Sequence, residues 1–155
     1  MVAILYVFGR TSLAFLLLYG GVLSITQDMD YNYDNATKLF SKLDANYKPA
    51  PRGDQFAYYL VIAQGGFLVG GATLLGLGSA AGPYLVILSA FLFMAASHNP
   101  ALAKDEGEKM VRMSFVLKDL VVIGACLLQI ALPKKPKEFW PQSQGEDEAA
   151  NKKDE

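Results

Sequence analysis

From position 55 to position 103 the chain carries no Asp, Glu, Lys or Arg. Two long apolar runs fill this stretch, 56–78 and 83–97, joined by the small-residue turn Gly78-Ser79-Ala80-Ala81-Gly82. Roughly 20 apolar residues carry a helix across a hydrocarbon core of about 30 Å. A water-soluble helix needs a charged face, and neither run has one. The stretch therefore reads as a helical hairpin that crosses a bilayer and returns.

Two further runs complete the pattern. Positions 2–25 are apolar apart from Arg10 and a few hydroxyl residues, and 112–132 are apolar apart from Arg112, Ser114, Lys118, Asp119 and Gln129. The expected architecture is an all-α bundle of four transmembrane helices in one domain, residues 1–132, followed by a polar extramembrane tail, 133–155. The first run lacks the basic leader and small-residue cleavage site of a secretory signal, and the Arg- and Ser-rich pattern of an organellar presequence. It reads as an uncleaved first span that serves as its own insertion signal. An even number of spans places both ends of the bundle's chain on one side of the bilayer.

The connections carry the charge. Between the first two spans, Asn35–Leu43 (NATKLFSKL) sets Leu39, Phe40 and Leu43 at helical spacing, with Asp34 or Asn35 placed to cap it. A short amphipathic helix is expected here, on the bilayer surface or on a partner, ended by Pro49 and Pro51. Asn35-Ala36-Thr37 also matches the glycosylation acceptor, a short pattern that often arises by chance. The 99–111 connection reads as a solvated loop or short surface helix. Its lysines, together with Lys38, Lys42, Lys48, Arg52 and Arg112, favour the loop side as the positive one. In the tail, Phe139 and Trp140 suit an interfacial anchor or a docking contact.

Composition removes several function classes. The net charge is −1, so no basic field attracts nucleic acid. A single cysteine, Cys126, allows no disulfide framework or cysteine-built metal site, and is most simply a core residue. A single histidine, His98, excludes a multi-histidine metal site or a bis-histidine haem within one copy. No cofactor is expected to be intrinsic to the chain, no metal ligands or catalytic residues are assigned, and the chain does not read as an enzyme. A bound phospholipid is compatible with it.

Intramembrane polar residues are the default functional candidates. They are Arg10, Gln64, His98, Lys118 and Asp119. An arginine at the centre of a span costs about 2.5–3.5 kcal/mol on insertion scales. Arg10 escapes that cost either by snorkelling to the head groups or by facing a partner in the bundle. Gln64 is expected to bond to a neighbouring helix. Lys118 and Asp119 point about 100° apart on a helix, so Asp119 is expected inward and Lys118 at the head groups. Pairing of Asp119 with Arg10 would need a favourable stagger, since they lie toward opposite ends. His98, at a helix end, more often caps carbonyls or faces water than binds a ligand. Gly66 and Gly70, continued by Ala72 and Gly76, form a small-residue stripe; packing within the bundle is favoured over a dimer face.

The ordered set of features resembles the DoxX-like membrane proteins. Gly9-Arg10 opens the first helix, GGFLVGGATLLGLG enriches the second in glycine, His98-Asn99-Pro100 closes the third, and Lys118-Asp119-Leu120 with Ile123-Gly124 marks the fourth. The NATKLFSKL connection is closer to the eukaryotic branch, the HR-like lesion-inducing proteins. The resemblance covers about residues 5–132. Asp119 stands where the family usually has asparagine, and the acidic tail is not a family feature. The resemblance implies a four-helix membrane protein and transfers no catalytic residue. Some members are small subunits of quinone-linked oxidoreductases, and others resemble accessory subunits of mitochondrial complexes. The favoured expectation is a non-catalytic accessory subunit of a respiratory-chain complex in the mitochondrial inner membrane, contacting other subunits and the bilayer. The alternatives are a membrane subunit of a quinone-linked oxidoreductase, the one case that calls for a bound quinone, and a stand-alone small carrier or lipid-binding protein.

Overall fold

A computed structural model describes residues 2–44 and 55–131. Phe139, Trp140 and the rest of the tail lie outside the described residues, as do Pro49 and Pro51. The described chain is helical throughout: α1 (Val2–Thr26), α2 (Met29–Leu43), α3 (Gln55–Gly76), α4 (Ala81–Ala95) and α5 (Glu106–Ala131), with a single 3₁₀ turn, Pro100–Leu102, before α5. Four of these stretches, beginning at Tyr6, Gln55, Ala81 and Glu106, are long and apolar enough to cross a membrane. The chain is a multi-pass α-helical membrane protein. Phe8, Phe15, Tyr59, Val121 and Leu128 point outward and exposed, as lipid-facing side chains do and as a surface in water would not tolerate.

The bundle has two ends. At one lie the start of α1, the α3–α4 turn and the end of α5. At the other lie α2 and the α4–α5 connection. The α3–α4 turn is a Schellman closure. Gly78 takes φ +78°, its N–H donates to the Leu75 carbonyl at 3.0 Å, and the Ser79 N–H donates to Leu74 O at 2.8 Å. Glycine carries this left-handed position without a Cβ penalty. Pro83 sits within the first turn of α4, where a missing N–H costs nothing.

Helix α5 begins six residues before the expected start of the fourth span. Asp105 accepts from the Glu108 N–H at 2.7 Å and Glu108 accepts from the Lys104 N–H at 2.8 Å. This reciprocal cap draws the charged turn into the helix. Helix α2 likewise starts earlier than expected, at Met29, so neither Asp34 nor Asn35 caps it. Asp28 is its N-cap, without a side-chain cap bond. Asn35 lies mid-helix and fully enclosed, which removes it as a glycosylation acceptor.

Close approach between helices depends on glycines one position away from the expected stripe. A Cβ on Gly65 would fall 2.3 Å from Ile25 Cγ1, and one on Gly21 would fall 2.8 Å from Val69 Cγ2. These two residues set the α1–α3 crossing. A Cβ on Gly71 would meet Val86 N at 2.8 Å, and one on Gly82 would meet Leu75 N at 2.4 Å; they set the α3–α4 crossing. Gly66 and Gly70 have open space around them, so the expected intrabundle packing through that pair is corrected. Ala72 is buried, and Gly76 meets Ala14. One residue is a 100° rotation on a helix, enough to move a glycine from the seam to the lipid face.

Packing runs in an open series, α1 on α3, α3 on α4, α4 on α5, with α2 laid against α3. Ala14, Leu17, Ala72, Leu75, Val86 and Cys126 form the central core. Ala36 of α2 buries against Ala57 and Val61, with Phe40 beside them. The hydrophobic face expected of α2 thus docks partly on α3 of its own chain, while Leu43 stays exposed.

Candidate functional site

Several polar residues gather at the α2 end, among them Arg112, His98 and Asp119. Their hub is Arg112, which is 1% exposed. Its Nη1 donates to the backbone carbonyls of Ser97 and Asn99, each at 3.2 Å. Its Nη2 donates to Asn35 Oδ1 at 2.7 Å and to Glu108 Oε1 at 2.6 Å, and Nε donates to the same carboxylate oxygen at 3.1 Å. These acceptors match the five donors of a guanidinium. The Tyr31 ring lies 5.8 Å from Cζ. One side chain therefore ties α2, the α4–α5 connection and α5 together. The chain after α4 presents the Ser97 and Asn99 carbonyls, and the fork of an arginine reaches both while still binding Asn35 and Glu108.

Asparagines on α2 complete the clamp. Asn32 Nδ2 donates to Ser24 Oγ at 3.0 Å and Ser24 O at 3.2 Å, which holds α2 to α1. Asn35 Nδ2 donates to Tyr31 O at 2.9 Å, which orients its carbonyl oxygen for Arg112. Lys42 Nζ donates to Ala101 O. Deeper in the bundle Gln64 is fully buried and bonds to α4: its Nε2 donates to Leu92 O at 2.8 Å, and Ser89 Oγ donates to Gln64 O at 2.6 Å.

The His98 ring caps no carbonyl among the described residues, and its side chain is 14% exposed. Its Nδ1 lies 2.5 Å from Asp119 Oδ2, and the imidazole stacks on Phe93 (centroids 5.4 Å apart, 18° between planes) and Phe115 (4.9 Å, 23°). A proton on Nδ1 donated to the carboxylate leaves Nε2 as the ring's second functional atom, and no hydrogen bond engages it among the described residues. Asp119 is buried and Lys118 exposed, with Nζ 5.1 Å from the Phe115 ring. The carboxylate that sequence reasoning offered to Arg10 is thus engaged by His98. Arg10 sits at the other end of the bundle, against Gly78.

His98 and Asp119 open into a groove of about 810 Å³ between α1 and α5. Leu13, Leu17 and Leu68 line it toward the bundle centre; Phe115, Lys118 and Tyr31 line it toward the α2 end. Ligand sites for small molecules have this scale and this mixture of an apolar body with a few convergent polar groups. The arrangement suits an amphiphile with a long apolar part and a head that exchanges hydrogen bonds with the imidazole. Among the described residues no group of three or more His, Cys, Asp or Glu side chains could hold a metal ion.

Sequence reasoning singled out His98, Asp119 and Gln64 but not Arg112, Glu108 or Asn35 as site residues. In the sequence Arg112 reads as one of the loop charges; in the fold it is among the most enclosed side chains. One signal was present: Glu108 and Arg112 stand four apart, the spacing that pairs charges on one helix face. Comparison with family models, curated proteins and solved structures finds no match.

Proposed function

We propose that this chain is a membrane subunit that binds a quinone-like amphiphile in the α1–α5 groove, with the electron-transfer centres on partner chains. The supporting observation is the placement of the His98–Asp119 pair at the polar end of an 810 Å³ apolar groove. A quinone carbonyl accepts a hydrogen bond from imidazole, its ring stacks on Phe115, and its isoprenoid tail follows the leucines of α1. Asp119 orients the imidazole in this reading. The test is binding of a short-chain quinone to the purified protein in lipid nanodiscs. His98→Ala is expected to weaken binding at least tenfold, about 1.4 kcal/mol, with Phe115→Leu weakening it less. Unchanged affinity in His98→Ala removes the proposal.

A separate observation favours the accessory-subunit reading. Gly66 and Gly70 leave a bare strip on the outer side of α3, where a helix of another subunit can approach closely. Its respiratory-chain and mitochondrial inner-membrane setting rests on the family resemblance of residues 5–132. Extraction in mild detergent, a native gel and mass spectrometry of the co-migrating chains test it; migration as a small free species removes it.

A further inference from the structure

At the end of the bundle away from the groove, Arg10 has no hydrogen-bond acceptor among the described residues. Its Nε is shut off from solvent and has no hydrogen-bond partner. Among the described residues no ion pair engages the guanidinium, whose contact is the Tyr6 ring at 5.8 Å. The carbonyls of Leu74 and Leu75, at the end of α3, receive the Ser79 and Gly78 N–H groups of the Schellman closure. The guanidinium is instead pressed against the bare backbone of Gly78: a Cβ there would lie 2.9 Å from Nη1 and 3.4 Å from Cζ. A side chain at 78 would displace it.

The group borders a small cavity of about 140 Å³, walled by Tyr6, Gly78, Ser79, Tyr84 and Gln129. At about 30 Å³ per liquid water this is room for a phosphate group but not for an acyl chain. It lies at the α3–α4 turn, between the ends of two apolar spans, the level at which a spanning bundle meets head groups. Its walls offer hydrogen-bond donors, the Ser79 and tyrosine hydroxyls and the Gln129 amide, and the described wall residues include no carboxylate. The first turn of α4 adds the positive end of its dipole. A guanidinium left without a counter-ion at the edge of a low-dielectric region is costly. A phosphate, with oxygens spaced for the planar fork of arginine, relieves that cost most directly.

We propose that Arg10 and the α3–α4 turn form a phosphate site, which holds the phosphate of an anionic lipid head group. The site is independent of the α1–α5 groove, since it sits at the opposite end of the bundle and shares none of its lining. Arg10 then does not merely reach the membrane surface; it fixes one lipid against the turn.

The test uses the full chain in an uncharged detergent, titrated with dioctanoyl phosphatidic acid and, separately, with inorganic phosphate, and followed by native mass spectrometry. The wild type is expected to retain one phosphatidic acid molecule. Arg10→Gln is expected to lower that affinity at least tenfold, and Arg10→Lys, which keeps the charge and loses the fork, to fall between them. Gln129→Glu keeps Arg10 and is nearly isosteric; the carboxylate it places in the cavity is expected to displace the lipid to a similar degree. This second variant keeps the proposal testable should Arg10→Gln fail to fold. If inorganic phosphate competes at equal concentration, free phosphate is the ligand and the assignment to lipid is overturned. If both Arg10→Gln and Gln129→Glu hold the lipid as tightly as the wild type, the site itself is overturned.

Discussion

Replacing Arg112 by alanine strands one enclosed acceptor and weakens two more. Asn35 Oδ1 loses its Arg112 donor, while the Ser97 and Asn99 carbonyls lose theirs but keep the Tyr31 hydroxyl at 3.5 Å and the Leu102 N–H at 3.1 Å. An acceptor left without a partner costs about 1–3 kcal/mol when buried. Taking about 2 kcal/mol for the stranded Asn35 oxygen and about 0.5 kcal/mol for each of the two carbonyl bonds lost gives about 3 kcal/mol. The Glu108 carboxylate is open enough to water to be left out of that figure. A loss of about 3 kcal/mol lowers the folding equilibrium more than a hundredfold. For a chain of this size it lowers the melting temperature by roughly 6–12 °C, at about 2–4 °C per kcal/mol. The assay is thermal unfolding in detergent followed by circular dichroism, with Lys109→Ala as control. Lys109 pairs with Glu106 in the open, and an exposed pair of that kind contributes less than about 1 kcal/mol. Arg112→Lys keeps the charge but offers three donors, so its melting point should fall between the two. An Arg112→Ala protein melting within about 2 °C of the wild type would refute the claim that this side chain ties the α2 end together.

The glycine assignments make opposite predictions at two positions of the α3–α4 hairpin. Gly82→Ala drives a methyl group into the backbone of Leu75 and should destabilise by about 1–3 kcal/mol, whereas Gly66→Ala should leave the melting point of the isolated protein unchanged or slightly raised. Equal effects at the two sites would contradict the α3–α4 crossing. Gln64→Leu removes the donor to Leu92 O and should cost about 1 kcal/mol, read in the same melt; a stabilised protein would show that this bond contributes nothing net. Asn35→Ala unhooks α2 from Arg112, so hydrogen exchange should quicken across 29–43 while the α3 amides stay protected; uniform protection would count against the clamp.

Much of this architecture was legible in the sequence because a bilayer leaves few choices. An uncharged run of some fifty residues has to satisfy its backbone internally, and in hydrocarbon a helix does so within one segment. The spans over 2–25, 56–78 and 83–97 match their helices to within a few residues for that reason. The start of α5 was misplaced because hydropathy does not register the reciprocal bonds of Asp105 and Glu108 that extend a helix into its charged flank. The burial of Asn35 is not legible in the sequence, because α2 reads as a surface element and its partner, Arg112, lies 77 positions away in the chain.

The sequence by itself determined the number of spans, their approximate ends and the inward turn of Asp119 relative to Lys118, all consequences of hydrophobicity and the 100° step of a helix. Only the tertiary structure decided which partner each buried polar group meets. Asp119 faces His98 and not Arg10, Gly65 and Gly71 face neighbouring helices while Gly66 and Gly70 do not, and Arg112 turns inward. Those choices depend on helix rotation and stagger. A shift of one residue changes the facing side chain completely while leaving the hydropathy of the span untouched.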